Sequence, residues 1–321
     1  MRVFVTGATG WIGSALIPEL LGAGHEVTGL ARSDASAAAL TNAGARVHRG
    51  DLDDLDGLRS AAGASDGVIH LAFNVALART GDFQGAVEAD RRAIEALGES
   101  LTGSDPPLVM ASVTLVLEPG RVGTERDAPS LDAADVGGPR ARLAPEQVAL
   151  SFASLGVRSS AVRLPPTVYG DGDHGFLANQ IAIARAKGVS GFIGDGSNRW
   201  SAVHRLDAAR LFRLALENAP AGSRLHAVTD EGVPTHTIAE VIGRHLEVPV
   251  VSIPAEDALA HFGPLAGFLA ADTPASSALT RDLLGWQPTH PGLIDDLGEG
   301  HYFHSRPAQS PEPEDNHGET L

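Results

Sequence analysis

Residues 3–13 read VFVTGATGWIG, and the architecture expected of this chain rests on them. They begin with an apolar run that includes β-branched residues, as is typical of a buried strand, and pass into glycines spaced G-x-x-G-x-x-G. Apolar residues then recur at Ile12, Leu16 and Leu20, which is the spacing of one helix face. The pattern therefore predicts a strand, a tight turn and a helix.

The glycine turn has the features of a dinucleotide site. Without a Cβ, the backbone can turn sharply and approach a pyrophosphate, and the helix N-terminus offers unpaired N–H groups and a positive dipole end to that anion. The alternative, a merely tight strand–helix turn, does not require three glycines at this spacing. We predict that the cofactor is contacted here by Gly7, Thr9, Gly10, Trp11, Ile12 and Gly13.

The amino-acid composition limits the classes of protein to which this chain can belong. The chain has 321 residues, of which 43% are hydrophobic and 20% charged, as in a globular enzyme. Its net charge of -16 argues against a nucleic-acid partner, which would need clustered Lys and Arg. No run of 18 or more apolar residues and no basic leader are present, so we expect neither a membrane span nor secretion. The absence of cysteine is consistent with a cytoplasmic location, which we predict.

The second predicted strand bears on the choice of cofactor. It ends at Arg32 and Ser33, about 20 residues beyond the glycines, where a dinucleotide fold meets the adenosine ribose. An acid at this point favours a free 2′-hydroxyl, whereas an arginine accommodates a 2′-phosphate. We therefore predict NADP(H) in preference to NAD(H). The alternative is that Arg32 is a solvated charge and Asp34 binds the ribose.

Predicted strands and helices alternate through the first half of the chain. Further strands are expected at 45–52, 67–72 and 107–112, with a long helix from about Asp82 to Leu101. This alternation predicts an α/β fold with a Rossmann-type doubly wound parallel sheet. We expect an NADP-binding domain over 1–165, a smaller C-terminal substrate-binding lobe over 166–304 that is interleaved with the sheet, and a disordered tail over 305–321.

Several motifs together resemble the extended short-chain dehydrogenase/reductase superfamily, in its NAD(P)-dependent epimerase/dehydratase-like branch. They are TGATGWIG at 6–13, GDL at 50–52, HLA at 70–72, RLPPTVYG at 163–170, GDG at 194–196 and VHRLDAA at 203–209. The resemblance covers about residues 1–300. It implies that the adenine lies at Asp51 and Leu52, the ribose and pyrophosphate near Leu71 and Ala72, and the nicotinamide amide near Pro165 and Val168.

Members of this superfamily usually carry a Tyr-x-x-x-Lys pair, whose tyrosine exchanges a proton with the substrate while hydride moves at the nicotinamide. This chain has no such pair. Its only lysine is Lys187, and its tyrosines, Tyr169 and Tyr302, are followed four residues later by Asp173 and Arg306.

The helix that would carry the pair can be aligned on its later glutamate, Glu146. This alignment puts Arg142 at the lysine position and Gly138 at the tyrosine position. The resemblance then implies that Arg142 hydrogen-bonds the nicotinamide ribose. A guanidinium is nevertheless a poor proton donor at neutral pH, so the usual acid is missing.

One function compatible with this loss is an atypical reductase that delivers hydride from NADPH to a small organic carbonyl, imine or enone. An iminium already carries the charge, and an enone can take its proton from water. Ser112 or Thr114 would orient the substrate, and Tyr169, His174 or His204 would supply a proton. The structural alternatives are that Tyr169 packs at a strand end and that His204 is a buried core histidine.

Two other functions are compatible with parts of the sequence. A non-catalytic NADP(H)-binding sensor or scaffold is favoured by the absent tyrosine, but residues 171–176 and 194–200 place polar and aromatic side chains where related folds close over a substrate. A nucleotide-sugar epimerase or dehydratase is less favoured, because its first oxidation needs the missing base. Scattered histidines predict no metal site. By analogy with the family, helices near 82–101 and 142–155 predict a homodimer.

Overall fold

The computed structural model describes residues 1–103, 105–130 and 138–304, so the tail predicted over 305–321 lies outside the described residues. The strands are β1 (Arg2–Thr6), β2 (Glu26–Ala31), β3 (Arg46–Arg49), β4 (Gly67–His70), β5 (Pro107–Val113), β6 (Arg158–Leu164), β7 (Thr167–Tyr169), β8 (Ser190–Ile193), β9 (Arg199–His204), β10 (Ser223–His226), β11 (Asp230–Pro234) and β12 (Val250–Ile253).

The helices alternate with these strands. They are α1 (Gly13–Gly22), α2 (Asp34–Asn42), α3 (Leu55–Gly63), α4 (Val75–Arg79), α5 (Phe83–Glu99), α6 (Leu143–Ser151), α7 (Phe176–Lys187), α8 (Arg205–Asn218), α9 (Thr235–Leu246), α10 (Ala258–Phe262), α11 (Ala266–Leu269), α12 (Ala278–Leu284) and α13 (Leu293–Gly298). Among the described residues, no helix combines the length and apolarity that a membrane crossing requires.

The central sheet contains seven parallel strands in the order β10-β6-β5-β4-β1-β2-β3. In the reverse direction, strands β1 to β6 follow the 3-2-1-4-5-6 order of the dinucleotide-binding fold. In this fold, ligands bind beyond the carboxyl ends of the strands. The structure thus confirms the predicted Rossmann-type α/β class. Because β10 completes the sheet after an excursion through β7 to β9, the second half of the chain is interleaved with it.

Strand β1 lies in the middle of the sheet and separates two apolar layers. Val3 and Val5 pack with apolar residues of α1 and α8, whereas Phe4, pointing to the opposite face, packs with residues of α3 and α5. This alternation follows from the two-residue period of a strand. Both faces are buried, which explains why β1 reads as a continuous apolar run.

Close packing requires two of the three glycines in the turn after β1. Gly7 has a positive φ of 66°, and a Cβ there would lie 2.7 Å from the backbone nitrogen of Ala72. A Cβ at Gly13 would lie only 2.1 Å from the carbonyl oxygen of Gly7. A Cβ at Gly10 would meet the same oxygen at 3.2 Å. The turn therefore holds the loop after β4 against the N-terminus of α1.

The C-terminal lobe is built around two small sheets. Strand β9 pairs with β7 in parallel and with β11 antiparallel, and β8 pairs with β12 in parallel. Trp200 on β9 is fully buried in an apolar cluster that includes residues of α10 and α11. This cluster ties residues 258–269 to the lobe, which positions them beside the carboxyl edge of β5. The division at residue 165 remains a prediction.

Candidate functional site

The glycine turn is fastened to the C-terminal lobe by Trp11. The Trp11 indole Nε1 donates a hydrogen bond of 2.8 Å to the carbonyl oxygen of Val168, and the Arg205 guanidinium lies 3.9 Å above its ring. Arg205 also donates to the Ser14 hydroxyl at 2.9 Å, and the exposed His174 meets Trp11 edge-on at 5.5 Å. Three predicted site residues, Trp11, Val168 and His174, therefore come together. Local sequence did not reveal Arg205 as their neighbour.

At the adenosine end, the structure places Arg32 and Ser33 at the exit of β2, both exposed. Ser33 caps α2 by accepting the backbone N–H of Ser36 at 3.1 Å. Asp34, the alternative ribose ligand, is paired with Arg49 from the end of β3. No ion pair of Arg32 is found within the described ranges, so its charge faces solvent at the predicted phosphate position.

The next predicted contacts lie in the loops after β3 and β4. The exposed Asp51 accepts backbone N–H groups of Asp53 and Asp54 at 2.9 and 3.1 Å, and the partly buried Leu52 packs against the layer that contains Phe4. The backbone of Leu71 and Ala72 runs directly against Gly7. The buried Pro165 connects β6 to β7, close in sequence to Val168. These positions line the same edge of the sheet as the turn.

A buried polar chain connects the turn to Arg142. The Thr6 hydroxyl lies 2.8 Å from His70 Nδ1 and accepts the N–H of Ala72 at 3.3 Å. His70 Nε2 lies 2.9 Å from Asp90 Oδ1. Because a carboxylate can only accept, His70 Nε2 is the donor to Asp90, and the second hydrogen bond joins His70 Nδ1 to the Thr6 hydroxyl. Thr6, His70 and Asp90 are all completely or almost completely buried.

Arg142 lies at the other end of this chain and retains unused hydrogen-bonding capacity. Its Nη2 donates to the carbonyl oxygen of Ala111 at 2.7 Å and lies 3.6 Å from Asp90 Oδ2, which accepts no hydrogen bond. The guanidinium sits 4.2 Å above the Phe73 ring. Arg142 is only 8% exposed, and its buried Nε donates to no described residue. A donor of this kind fits the ribose of a bound dinucleotide.

Ser112 and Thr114 differ in what their hydroxyls do. Ser112 is fully buried and donates to Glu146 Oε2 at 2.6 Å, so its proton is already engaged. Thr114, which follows β5, is 2% exposed, and its Oγ1 has no hydrogen-bond partner among the described residues. Thr114 is consequently the better placed of the two predicted residues for a substrate atom.

Glu146 belongs to a buried ionic network. Arg163 donates to its two carboxylate oxygens at 2.6 and 3.0 Å, and Arg224 contributes a third hydrogen bond at 3.2 Å. Burial alone would raise the pKa of the Glu146 carboxyl, but the hydrogen bonds and charge of Arg163 outweigh it and hold that pKa below its ordinary value. The network joins α6 to β5, β6 and β10 and has a structural role.

Both tyrosines are held in structural contacts. The buried Tyr169 donates to the carbonyl oxygen of Pro291 at 2.7 Å, and burial followed by the charge of Asp230 raises the pKa of its phenol well above the ordinary range. Tyr302 donates to Asp173 at 3.2 Å and accepts the N–H of Gly170 at 3.1 Å. Burial likewise raises the pKa of the Tyr302 phenol. Neither hydroxyl is poised to give up a proton near neutral pH.

His204 caps the N-terminus of α8 and lies in a cluster that the sequence did not reveal. Its Nδ1 accepts the N–H of Leu206 at 3.3 Å, and its ring stacks on His290 at 4.3 Å. Donor atoms of His204, Asp207 and His290 lie within 4.8 Å of one another. The Asp207 carboxylate, however, already accepts hydrogen bonds from the N–H groups of Thr289 and His290 at 3.0 and 3.1 Å. It therefore holds residues 289–290 against α8.

His204 should make stability depend on pH. Burial, followed by the proximity of His290, lowers the pKa of His204 from 6.5 to about 4. The unfolded chain therefore binds more protons between these values, and the free energy of unfolding should decline as pH falls from 6.5 towards 4. Burial lowers the pKa of His226 as well and adds to the decline. His204→Asn keeps a capping side chain, so denaturant titrations across this range should show a shallower slope. An unchanged slope would assign the effect to other groups.

A cleft of about 350 Å³ opens where β5 and the 3-10 turn at Pro139–Arg142 approach the C-terminal lobe. Its wall comes from the loop after β5, from the start of that turn and from residues 267–273. It is lined by Leu115, Leu117, Pro119, Pro139, Arg140, Gly267, Phe268, Ala271 and Thr273. The cleft borders Thr114 and Arg142 in sequence, at the edge of the sheet where doubly wound folds bind ligands.

Comparison with known proteins places these features in a family context. A model of the NAD dependent epimerase/dehydratase family matches residues 3–228. Uncharacterized protein C2A9.02 of Schizosaccharomyces pombe is 50% identical over 305 residues, covering 94% of this chain and 100% of the relative. The 3-diazoavenalumate denitrifying reductase of Streptomyces sp is 29% identical over 312 residues, covering 93% of this chain and 99% of that enzyme.

The solved structures show a similar fold. UDP-glucuronic acid 4-epimerase from Bacillus cereus, in complex with UDP-glucuronic acid and NAD, superposes with a TM-score of 0.72 at 20% identity. The match covers 94% of this chain and 98% of that chain. At this identity, the likeness supports the fold alone.

Proposed function

The chain belongs to the NAD dependent epimerase/dehydratase family, whose members bind a nicotinamide dinucleotide, and we propose that this member is an NADPH-dependent reductase. In this proposal it transfers hydride to a small organic carbonyl, imine or enone without a tyrosine acid. Two observations carry the proposal: the Arg142 Nε and the Thr114 hydroxyl are buried without a partner among the described residues, and they belong to neighbouring turns, Pro139–Arg142 and Thr114–Val116. The relative named as a reductase supports the same class of chemistry.

The residues present fit a bound dinucleotide. The turn after β1 approaches the loop after β4 too closely for a Cβ at Gly7, and the backbone N–H groups at the start of α1 would hold the pyrophosphate. Arg32 would bind the 2′-phosphate, and Arg142 the nicotinamide ribose. When bound, the cofactor supplies the hydride. Thr114 would orient the substrate by hydrogen bonding.

Reduction of a carbonyl adds a hydride and a proton, and the second must come from a source other than tyrosine. Tyr169 and Tyr302 are buried in structural hydrogen bonds, and His204 titrates far below neutral pH. His174, exposed against Trp11, and water remain as donors. An iminium needs no proton at its nitrogen, so we expect imines to react faster than ketones.

A sensor or scaffold that binds NADP(H) without turnover is the second candidate, favoured by the missing tyrosine. The two can be separated by titrating the protein with NADPH and NADH and then following absorbance at 340 nm as ketones, enones and cyclic imines are added. Turnover of one class would support the reductase. Tight NADPH binding with flat absorbance across the panel would favour the sensor.

Replacement of Arg32 tests the preference for NADPH. A charge-assisted hydrogen bond contributes about 1.5–3 kcal/mol, so Arg32→Ala should weaken NADPH binding by about 10- to 100-fold and leave NADH unchanged. Calorimetric titration of both cofactors measures this. Arg46→Ala is a matched control, because Arg46 is an exposed arginine at the opposite, amino end of β3. Equal losses for both cofactors would show that the assignment of Arg32 is wrong.

The predicted homodimer and cytoplasmic location stay predictions. The homodimer is predicted to involve the helix that the structure shows as α5. The outward face of α5 is charged: Arg91 is paired with Glu88 and Glu95, and Arg92 is paired with Asp53. A dimer through this face would rely on complementary charge, which salt screens. We therefore expect any dimer to dissociate as ionic strength rises. Sedimentation at 0.05 and 0.5 M salt would test this, and a salt-independent dimer would place the interface elsewhere.

A further inference from the structure

The cleft between residues 115–119, 139–140 and 267–273 has walls that restrict what it can bind. Its lining side chains come mainly from leucine, proline, alanine and phenylalanine, and the one charged residue, Arg140, donates to Glu118 at 3.0 Å. A nucleoside diphosphate carries at least two negative charges, which this lining does not balance with cations of its own. An uncharged, largely apolar molecule matches it, since burial of apolar surface favours binding.

One lining residue supplies a polar contact. Thr273 is 8% exposed, and its Oγ1 is buried without a hydrogen-bond partner among the described residues. Its backbone is fully used, since its N–H donates to Arg199 at 2.8 Å and its carbonyl accepts from Ser201 at 3.0 Å. A buried hydroxyl without a hydrogen-bond partner is unfavourable, so a ligand that pairs with it gains affinity.

The wall that carries Thr273 is anchored to the lobe. Phe268 packs on Phe176 with ring centroids 4.8 Å apart, and Phe176 packs on the buried Trp200 at 5.9 Å. Thr273 itself forms a β-bridge with Trp200. The cleft is therefore preformed, and its volume of about 350 Å³ suits a molecule near the small end of the range for ligand pockets.

We propose that this cleft is the substrate site and that its ligand is a small, uncharged, mainly apolar carbonyl compound whose oxygen pairs with the Thr273 hydroxyl. The proposal rests on the proposed reductase function and adds a substrate class and a specificity-determining residue to it. Thr273 lies about 160 residues after β5 ends, which is why only the folded chain brings the two together.

The test measures binding separately from turnover. Calorimetric titrations of the protein saturated with NADP+ compare acetophenone, its carboxylate analogue 4-acetylbenzoate and UDP-glucose. We expect acetophenone to bind at least about tenfold more tightly than either charged ligand, and Leu115→Asp, which puts a carboxylate into the wall, to abolish its binding. Equal or tighter binding of UDP-glucose would overturn the proposal.

Thr273 variants test the hydroxyl itself. Thr273→Val should weaken acetophenone binding by about 2- to 10-fold, the value of one neutral hydrogen bond, whereas Thr273→Ser should restore it. Because the valine removes an unpaired buried hydroxyl, the unfolding midpoint should stay level or rise, which a merely structural role would not produce. Thr102→Val, at an exposed threonine, is the control. Unchanged affinity in Thr273→Val would overturn the assignment.

Failure of the site and failure of the reductase are distinguishable. If Leu115→Asp and Thr273→Val weaken acetophenone binding but no substrate oxidises NADPH, the proposed binding site stands and the proposed reductase activity is wrong. If NADPH is oxidised but neither substitution changes the KM for the ketone, the reductase activity stands and the proposed substrate site is wrong.

Discussion

Arg163→Met is expected to lower the free energy of unfolding by about 3–5 kcal/mol, because it leaves the Glu146 carboxylate buried without its main partner. Arg163 and Glu146 are both fully buried, and Arg163 also donates to the carbonyl oxygen of Asp127 at 2.9 Å. Arg224, with its single hydrogen bond of 3.2 Å, cannot replace the two that are lost. Urea titration followed by circular dichroism measures the change.

Two controls give this result its meaning. Arg59→Met removes exposed ion pairs with Asp56 and Glu99 and should cost less than about 1 kcal/mol. Combining Arg163→Met with Glu146→Leu removes both buried charges and should recover most of the stability, since an apolar pair can replace a buried ion pair. If the single variant lost as little as Arg59→Met, the network would not hold the sheet together.

The network also shows where sequence reasoning stopped. Ser112 was predicted to touch the substrate because it ends a strand at the ligand-binding edge. Whether its side chain faces that edge or the interior depends on the strand's two-residue alternation and on a partner, Glu146, that lies 34 residues away. Thr114, two residues further on and past the strand, keeps a hydroxyl that no described residue uses. The directions of the Ser112 and Thr114 side chains could not be predicted from the sequence alone.

Local patterns were sufficient for the architecture. The glycine turn, the alternation of strands and helices and the long helix near 82–101 all appear in the structure, the last as α5, Phe83–Glu99. One signal was present but overlooked, since Asp90 sits at helical spacing among apolar residues, between Ala86 and Ala93. A carboxylate on a buried helix face needs a partner, and His70 and Arg142 are these partners.

The cleft could not have been predicted at residue level. Its walls join residues 115–119 with residues 267–273, more than a hundred positions apart. The two segments are held together by the hydrogen bond from the Gly120 N–H to the carbonyl oxygen of Asp272 at 3.0 Å and by the β-bridge between Gly123 and Ala275. Residues 254–274, which carry the second wall, mix short helices with proline and glycine, so no periodicity in the sequence predicts their path. The predicted substrate-binding lobe, residues 166–304, includes this wall, but packing around Trp200 determines which of its residues line the cleft.

Arg142→Met should have the largest effect on function. If Arg142 binds the nicotinamide ribose, which NADPH and NADH share, both cofactors should bind about 10- to 100-fold more weakly, with their ratio unchanged. The same change leaves the buried Asp90 carboxylate without a cation and should lower the free energy of unfolding by about 3 kcal/mol. Arg142→Lys keeps the charge and should recover much of the stability. Cofactor titration and urea unfolding measure the two effects.

A second substitution separates the cofactor role of Arg142 from its structural role. Asp90→Asn combined with Arg142→Met removes both buried charges while the asparagine can still accept from His70, so stability should return towards the wild-type value. Cofactor affinity should stay low, because the donor remains absent. If affinity returned together with stability, Arg142 would act only through the fold, and its unused Nε would have no ligand to bind.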